Sequence, residues 1–566
     1  MNILGIGFLS EASVAVVRDG RLVVAISEER LNRVKLWYGI PRLAIDRALA
    51  LAGLTLDQID VVATHGAAPP EPDGEPYKAK EAAILASDLP QDRKEDLIQQ
   101  LRGRLAHERK VLAERTPAYL REIESLGRPI MLFGHHECHA ATAHYGSGWK
   151  ESDVLTIDGW GEDGSSSFWH GNGVEMTRRG KSHTFDSVGY FYGSITKALG
   201  FIPHRHEGKV LGLAAFCAEP KSYGTISEMI DYAPGEYRFV GRPDRGYYVP
   251  RMENLPLKRF VEGFTREDVA AAAQRRLEEV VTSLIRDLGG SDRRMALAGG
   301  VFANVKLNQR VAECSNVAEV FVYPNMGDGG LSVGAAWLAH VRKTGTLPKP
   351  LDTMLLGPAP TEQEIGSLLA TSGLKYRKSA NIDDEVAGLL ADGQIVARCS
   401  GAMEFGPRAL GNRSILYRAT EPDVNNWLNK RLRRSEFMPF APSVLAERAD
   451  ELFEGIDAGT SPARFMAITF DCTAKMRREA PAAVHVDGTA RPQLVSPQDY
   501  PAFHRILTGY RARTGLSAVI NTSFNMHEEP IVCTADDAMR AFKDGGLPYL
   551  VLGDFLVEGE KVDLRG

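Results

Sequence analysis

Ala12-Ser13-Val14-Ala15-Val16-Val17-Arg18-Asp19-Gly20-Arg21-Leu22-Val23-Val24-Ala25-Ile26-Ser27 is a pair of apolar, β-branched runs separated by Asp-Gly. A two-residue hairpin turn needs positive φ at both central positions. Asp tolerates that conformation and Gly adopts it freely, so the spacing predicts strands over 12–17 and 21–27 joined at Asp19-Gly20. An opening strand through Gly7 precedes the hairpin, and a helix with proline at its start is predicted over 41–51. A similar strand, glycine turn and strand recurs over 154–177, with Gly171-Asn172-Gly173 at its bend. Two such units predict an internally duplicated, nucleotide-binding α/β architecture.

Gly134-His135-His136-Glu137-Cys138-His139-Ala140-Ala141 places two imidazoles four residues apart in a run that reads as a helix. One helical turn takes 3.6 residues, so His135 and His139 project from one face and can hold one metal ion. The pair alone fits equally well as two histidines bonded to neighbouring backbone. Metals that take imidazole also take carboxylate, which directs attention to acidic residues at strand ends. Val154-Leu155-Thr156-Ile157-Asp158-Gly159-Trp160-Gly161 and Phe321-Val322-Tyr323-Pro324-Asn325-Met326-Gly327-Asp328-Gly329-Gly330 each run from apolar residues to a glycine-flanked Asp. Open α/β proteins build their sites at such carboxyl edges. Either Asp alone reads as a helix cap or turn residue.

At 566 residues the chain exceeds what one core usually organises, so two or more domains are expected. Its 67 Lys and Arg against 73 Asp and Glu leave a net charge of −6, which argues against general affinity for nucleic acid or anionic membrane. The start has no basic segment before an apolar core, and no apolar run reaches membrane-spanning length, so the expected compartment is the cytoplasm. Six scattered cysteines, at 138, 217, 314, 399, 472 and 533, form no Cys-x-x-Cys and argue against disulfides and zinc fingers.

Residues 70–125 form a charged, helix-favouring insertion entered through Pro69-Pro70-Glu71-Pro72 and read as a solvated helical face. Met295-Ala296-Leu297-Ala298-Gly299-Gly300-Val301-Phe302-Ala303-Asn304 runs from a strand through paired glycines towards a helix. Bare amides at a helix start attract phosphate, and Gly299 and Gly300 would let it approach. The prolines at 348, 350, 358 and 360 mark the domain boundary, dividing 1–350 from 351–566.

Several motifs together carry a family resemblance. They are Glu28-Glu29-Arg30-Leu31-Asn32-Arg33-Val34-Lys35, the His135 and His139 pair, Ala298 to Asn304, and Asp328-Gly329-Gly330. Further along come Glu404-Phe405-Gly406-Pro407-Arg408-Ala409-Leu410-Gly411-Asn412-Arg413-Ser414 and Asn521-Thr522-Ser523-Phe524-Asn525. In this order they resemble the NodU/CmcH family of O-carbamoyltransferases across nearly the whole chain. The resemblance implies a two-lobed Kae1-like domain of the actin-like ATPase (ASKHA) fold over 1–350, followed by a YrdC-like α/β domain over 351–566. It implies that the second domain forms carbamoyladenylate from ATP and carbamoyl phosphate, with Mg2+ accompanying ATP, and that the first transfers carbamoyl to a hydroxyl of a small molecule. The family's metal ligands fall on His135, His139, Asp158 and Asp328, with iron(II) the implied ion, although the donor set also suits zinc or manganese.

The same resemblance places Lys35, Lys209, Gly299, Gly300, Asn304 and Gly329 around phosphate and nucleoside in the Kae1-like site; composition alone makes both lysines surface residues. In the YrdC-like half it places Arg408, Arg413, Lys430, Arg434, Arg491, Asn521, Ser523 and Asn525 around ATP and carbamoyl phosphate, where the planar arginine fork suits phosphate. The chain departs from the family at Arg434-Ser435-Glu436-Phe437-Met438-Pro439-Phe440, which lacks the second arginine of the usual stretch. A tRNA-modifying threonylcarbamoyl protein would share both domain types but would want a basic surface. The hydrogenase-maturation carbamoyltransferase carries zinc-finger cysteines and an acylphosphatase module that this chain lacks. An ASKHA small-molecule kinase or a silent nucleotide-binding scaffold completes the alternatives. The acceptor and the oligomeric state are left open by the sequence, a homodimer being one candidate.

Overall fold

Asp19 and Gly20 take φ of +50° and +79°, the pair of positive values that the Asp-Gly turn demands. The computed structural model describes residues 1–66, 75–162, 164–243, 261–433 and 437–559. Around the turn, β2 (Ser13–Arg18) and β3 (Arg21–Ser27) follow β1 (Asn2–Gly7), and β4 (Val61–His65) and β5 (Ile130–Phe133) complete a sheet of order β3-β2-β1-β4-β5. β4 lies parallel to both β1 and β5. The predicted helix forms over Arg42–Ala52, with Pro41 at its N-cap.

The second sheet repeats that plan. β6 (Glu151–Gly161), β7 (Gly164–Asn172) and β8 (Glu175–Ser182) form an antiparallel meander. A two-stranded ribbon follows, β9 (Ile230–Ala233) with β10 (Arg238–Gly241). Then β11 (Arg293–Ala298) and β12 (Val317–Val322) add in parallel, giving β12-β11-β6-β7-β8. Read from the opposite edge, this is the first sheet's order of third, second, first, fourth and fifth strand. Three hairpin-connected strands and two parallel additions, made twice, are the topology of the actin-like ATPase (ASKHA) fold. The sequence reading of one reversal over 154–177 is corrected to two, since the chain also turns between Gly161 and Gly164.

Close backbone approaches set the helices against these sheets. Helix Leu331–Thr344 lies on β1 at Gly5, where a Cβ would stand 1.9 Å from the Ser332 carbonyl oxygen. It meets helix His135–Ser147 at Gly334, where a Cβ would stand 2.1 Å from the Cys138 carbonyl oxygen. No larger residue fits at either position without moving backbone. Residues 75–124 are helical, over Glu75–Ala86, Gln91–Lys110 and Thr116–Glu124 with a π turn at Val111–Arg115. Their buried Tyr77, Ile84, Leu97 and Leu101 pack with Phe185, so this segment has its own small core.

Contacts group the chain into two units. One comprises Met1–Phe8, Ala15–Leu22 and Thr55–Pro350; the other comprises Leu9–Val14, Val23–Leu54 and Leu351–Gly566. The second unit is built on a mixed eight-stranded sheet. Its strands are β13 (Lys375–Lys378), β14 (Val396–Cys399), β15 (Arg413–Arg418), β16 (Ala441–Leu445), β19 (Gln493–Val495), β20 (Ala518–Ser523), β21 (Tyr549–Leu552) and β22 (Phe555–Glu558), while β17 (Phe470–Asp471) and β18 (Thr489–Ala490) pair separately. The order of the large sheet is β13-β22-β21-β14-β15-β20-β16-β19. The early segment joins this unit for a specific reason. Arg30 donates to the Gly406 carbonyl at 2.7 Å, and Arg33 donates to those of Ile531 and Pro530 at 2.8 and 2.7 Å.

Candidate metal centre

Helix His135–Ser147 begins immediately after β5 and Gly134, and Glu137 accepts the Gly134 N–H at 3.2 Å, fixing the first turn. His135 and His139 therefore leave the helix on one face, both buried. Asp158 reaches them from β6 at a register irregularity between Ile157 and Gly161. A bulge of this kind re-aims a strand side chain. The Asp158 carboxylate is then held by backbone, accepting from Gly159 N–H at 2.7 Å and Gly300 N–H at 3.2 Å. Asp328 arrives from the single turn Asp328–Gly330 that leads into helix Leu331–Thr344.

Four atoms converge: His135 Nε2, His139 Nε2, Asp158 Oδ2 and Asp328 Oδ1. Asp158 Oδ2 stands 3.8 Å from His135 and 3.1 Å from His139, and Asp328 Oδ1 stands 3.5 and 3.6 Å from the same two nitrogens. A tetrahedral ion with bonds of about 2.1 Å sets its ligand atoms about 3.4 Å apart, so the spacing fits. His135 Nε2 and Asp328 Oδ1 are buried with no hydrogen-bond partner, as atoms reserved for a metal would be. Two imidazoles and two carboxylates suit zinc, iron or manganese and neutralise a divalent charge.

The electrostatics agree. Burial opposes a charge on His135, but Asp158, Asp328 and Glu162 outweigh it and push its pKa up to about 10. Burial likewise raises the Asp158 carboxyl, yet attraction to the two imidazoles leaves it well below the usual carboxylate range. The negative charge that favours a proton on His135 would equally favour a divalent cation among the same four side chains. Behind the centre, His65 is pushed down to about 3 by burial and by the positive charge on His135.

The other sequence-selected residues in this unit divide by role. Gly299 has φ of +100°, and a Cβ there would lie 2.3 Å from the Ile157 carbonyl oxygen, so the close approach is to β6. Gly300 spends its N–H on Asp158. Asn304 caps helix Val305–Ala312 by accepting from Leu307 N–H at 3.0 Å and donates to Gln274 at 2.8 Å. Gly329 is buried against Asn325, and Lys209 is buried on helix Glu207–Ala214.

In the second unit, Arg413 is fully buried and spends its guanidinium on the carbonyls of Cys533, Gly401, Asn412 and Pro358. Those bonds make it a clamp on the 401–413 loop. Glu404 secures the same loop by accepting the N–H groups of Leu410, Asn412 and Arg413. Asn521 donates to Gln493 at 2.9 Å and Ala409 at 3.3 Å, and Asn525 donates to the carbonyls of Met526 and Glu529. Arg408, Arg491 and Ser523 are half-buried, Lys430 is exposed, and Arg434 lies outside the described residues. Lys35 is half-buried on the early segment that groups with this second unit.

Fold and centre together define an actin-like α/β protein with a buried site fitted to a divalent metal. The family descriptions Carbamoyltransferase N-terminus and Carbamoyltransferase C-terminus match residues 2–337 and 387–559, and the chain belongs to this carbamoyltransferase family. It is similar to the nodulation protein NolNO of Sinorhizobium fredii, with 32% identity over 97% of this chain and 79% of that one. The protein sll1178 of Synechocystis is 31% identical over 98% of this chain and 96% of its own length. Among solved structures, full-length HypF in its phosphate- and nucleotide-bound form aligns with a TM-score of 0.33 and 14% identity, over 61% of this chain and 47% of that one. The chain is thus a carbamoyl-transferring enzyme. Among its described residues no helix is long and apolar enough to cross a membrane, and all six cysteines are free.

Proposed function

We propose that the chain is an ATP-dependent O-carbamoyltransferase. Its YrdC-like half, 351–566, activates carbamoyl phosphate with ATP as carbamoyladenylate, and its Kae1-like half, 1–350, passes the carbamoyl group to a hydroxyl of a small-molecule acceptor. The observation that carries this reading is the convergence of His135, His139, Asp158 and Asp328 in a chain of the carbamoyltransferase family. A divalent ion held there, iron(II) in our reading, supplies Lewis-acid polarisation of a carbonyl or phosphate oxygen. The rest falls to the chain. Asp158, fixed by two backbone amides, and Asp328 keep both imidazole Nε2 atoms aimed at one point, so the site is organised before substrate arrives.

AMP is a useful carrier because ribose, base and phosphate can all be gripped, and that binding energy serves the transfer step. In the second half the 401–413 loop is pinned from both sides by Glu404 and Arg413. Pinning leaves Arg408 on a rigid loop, where its guanidinium would hold phosphate with Arg491 and Ser523. Lys209, on helix Glu207–Ala214, would add positive charge at the nucleotide of the transfer step. The test uses ATP and carbamoyl phosphate without acceptor. Pyrophosphate release that requires both substrates, with carbamoyladenylate seen by mass spectrometry, supports the reading. His139→Ala should keep that release and lose carbamoylation of any acceptor; unchanged acceptor carbamoylation would remove the metal site from the mechanism.

A further inference from the structure

Glu162, just after β6, brings a third acidic side chain to the centre. Glu162 is buried, and its Oε1 accepts the backbone N–H of His135 at 2.8 Å. That amide opens helix His135–Ser147 and has no acceptor inside the helix, so the carboxylate satisfies an orphan donor at the positive end of the helix dipole. Its second oxygen, Oε2, faces His135 Nδ1 at 3.9 Å, with both side chains 4% exposed. The opposite ring nitrogen, Nε2, faces Asp158 and Asp328.

We infer that Glu162 is a positioning residue, which holds the His135 proton on Nδ1 and so presents the Nε2 lone pair to a divalent metal ion. The inference deepens the metal centre proposed above and rests on that reading. Once an ion engages Asp158 and Asp328 on the Nε2 side, the one ring proton of the neutral imidazole belongs on Nδ1, and Glu162 is the carboxylate that faces that nitrogen, at 3.9 Å. The surroundings leave the ring little freedom to turn. His65 packs edge-on against His135 at 5.9 Å and is itself stacked on Phe8, whose backbone N–H and carbonyl meet His65 Nε2 at 3.2 and 3.1 Å. Next in the chain, His136 bonds Thr156 of β6 at 2.9 Å and the Gly164 carbonyl of β7 at 3.2 Å, locking the helix to the hairpin that carries Glu162. His65, His135 and Glu162 also lie close enough to hold an ion of their own. The engagement of His65 Nε2 by Phe8 favours the positioning role. His139 differs, for its Nδ1 is buried with no hydrogen-bond partner, so the orienting carboxylate serves one of the two imidazoles.

The test is metal binding to the full chain with Co(II) as probe, followed by calorimetry and by the visible spectrum of the bound ion. In Glu162→Gln the amide oxygen still accepts the His135 N–H. The amide's NH2 then faces Nδ1 and favours the opposite tautomer, which puts a proton on Nε2. Wild type should bind Co(II); Glu162→Gln should bind about tenfold to a hundredfold more weakly and with a shifted visible band. Melting of the metal-free variant near the wild-type temperature shows that the loss is not misfolding. Should Glu162→Gln fail to fold, Glu162→Asp, which withdraws the charge from Nδ1 by one methylene, carries the same comparison with a smaller loss. Wild-type affinity and spectrum in whichever variant folds would overturn the inference. Absence of Co(II) binding in wild type would instead remove the metal centre on which it rests.

Discussion

At the scale of single residues, protons and metal compete for His135. Its folded-state pKa stands near 10 against an ordinary 6.5, held there by Asp158, Asp328 and Glu162 against the effect of burial. In the chelator-treated protein this proton should stabilise the fold fully below pH 6.5, and the contribution should fade as pH rises through 10. His135→Ala should lack that pH dependence, which thermal melts across the range will check. With metal the sign reverses. Binding must expel the proton, so Co(II) affinity should rise with pH by up to about tenfold per unit and binding should release protons, as calorimetry in buffers of different ionisation enthalpy will measure. The four converging side chains were legible as candidates because each is a residue type with metal chemistry in a suggestive setting. Glu162 was not, because the backbone amide it receives lies 27 residues earlier and its own turn, flanked by Gly161 and Gly164, reads as the end of a strand.

At the scale of elements, the centre depends on how closely one helix lies on another. Helix Leu331–Thr344 and helix His135–Ser147 carry opposite sides of the site, with Asp328 just before the one and both histidines on the other, and Gly334 sets their separation. Gly334→Ala should cost about 1–3 kcal/mol by overpacking. It should also weaken Co(II) binding, because the helices must part; a lowered Tm with unaltered affinity would mean that the site absorbs the shift. Gly299→Ala should destabilise as well, since its φ of +100° and its contact with Ile157 both exclude a side chain. The hairpin β2–β3 was legible because Asp-Gly is a local signal, and the strands fall within one residue of expectation. β6 was harder. Its bulge breaks the alternation that marks a strand, so Asp158 reads as a strand end although it lies inside one.

At the scale of the whole molecule, the duplicated strand order gives the actin-like half its architecture, and sequence showed the duplication only as two hairpins. Allegiance of the early residues was not legible at all, because it rests on side chains meeting carbonyls 376 to 498 positions away. Arg33→Ala should leave the Pro530 and Ile531 carbonyls unpaired and destabilise the second unit by about 1–3 kcal/mol. Faster hydrogen exchange across 524–537, with the His139 region unchanged, would locate the loss; equal acceleration in both would mean that the units unfold as one.

The bond from Arg33 to Pro530 spans 497 residues of chain. A ribosome adds about 5–20 residues each second, so this arginine waits on the order of 25 to 100 s for its acceptor to be made. For that interval Arg30 and Arg33 lack the carbonyls to which they will donate. A chain halted after β12 should therefore leave Arg30 and Arg33 open to chaperones and proteases until the second unit is made.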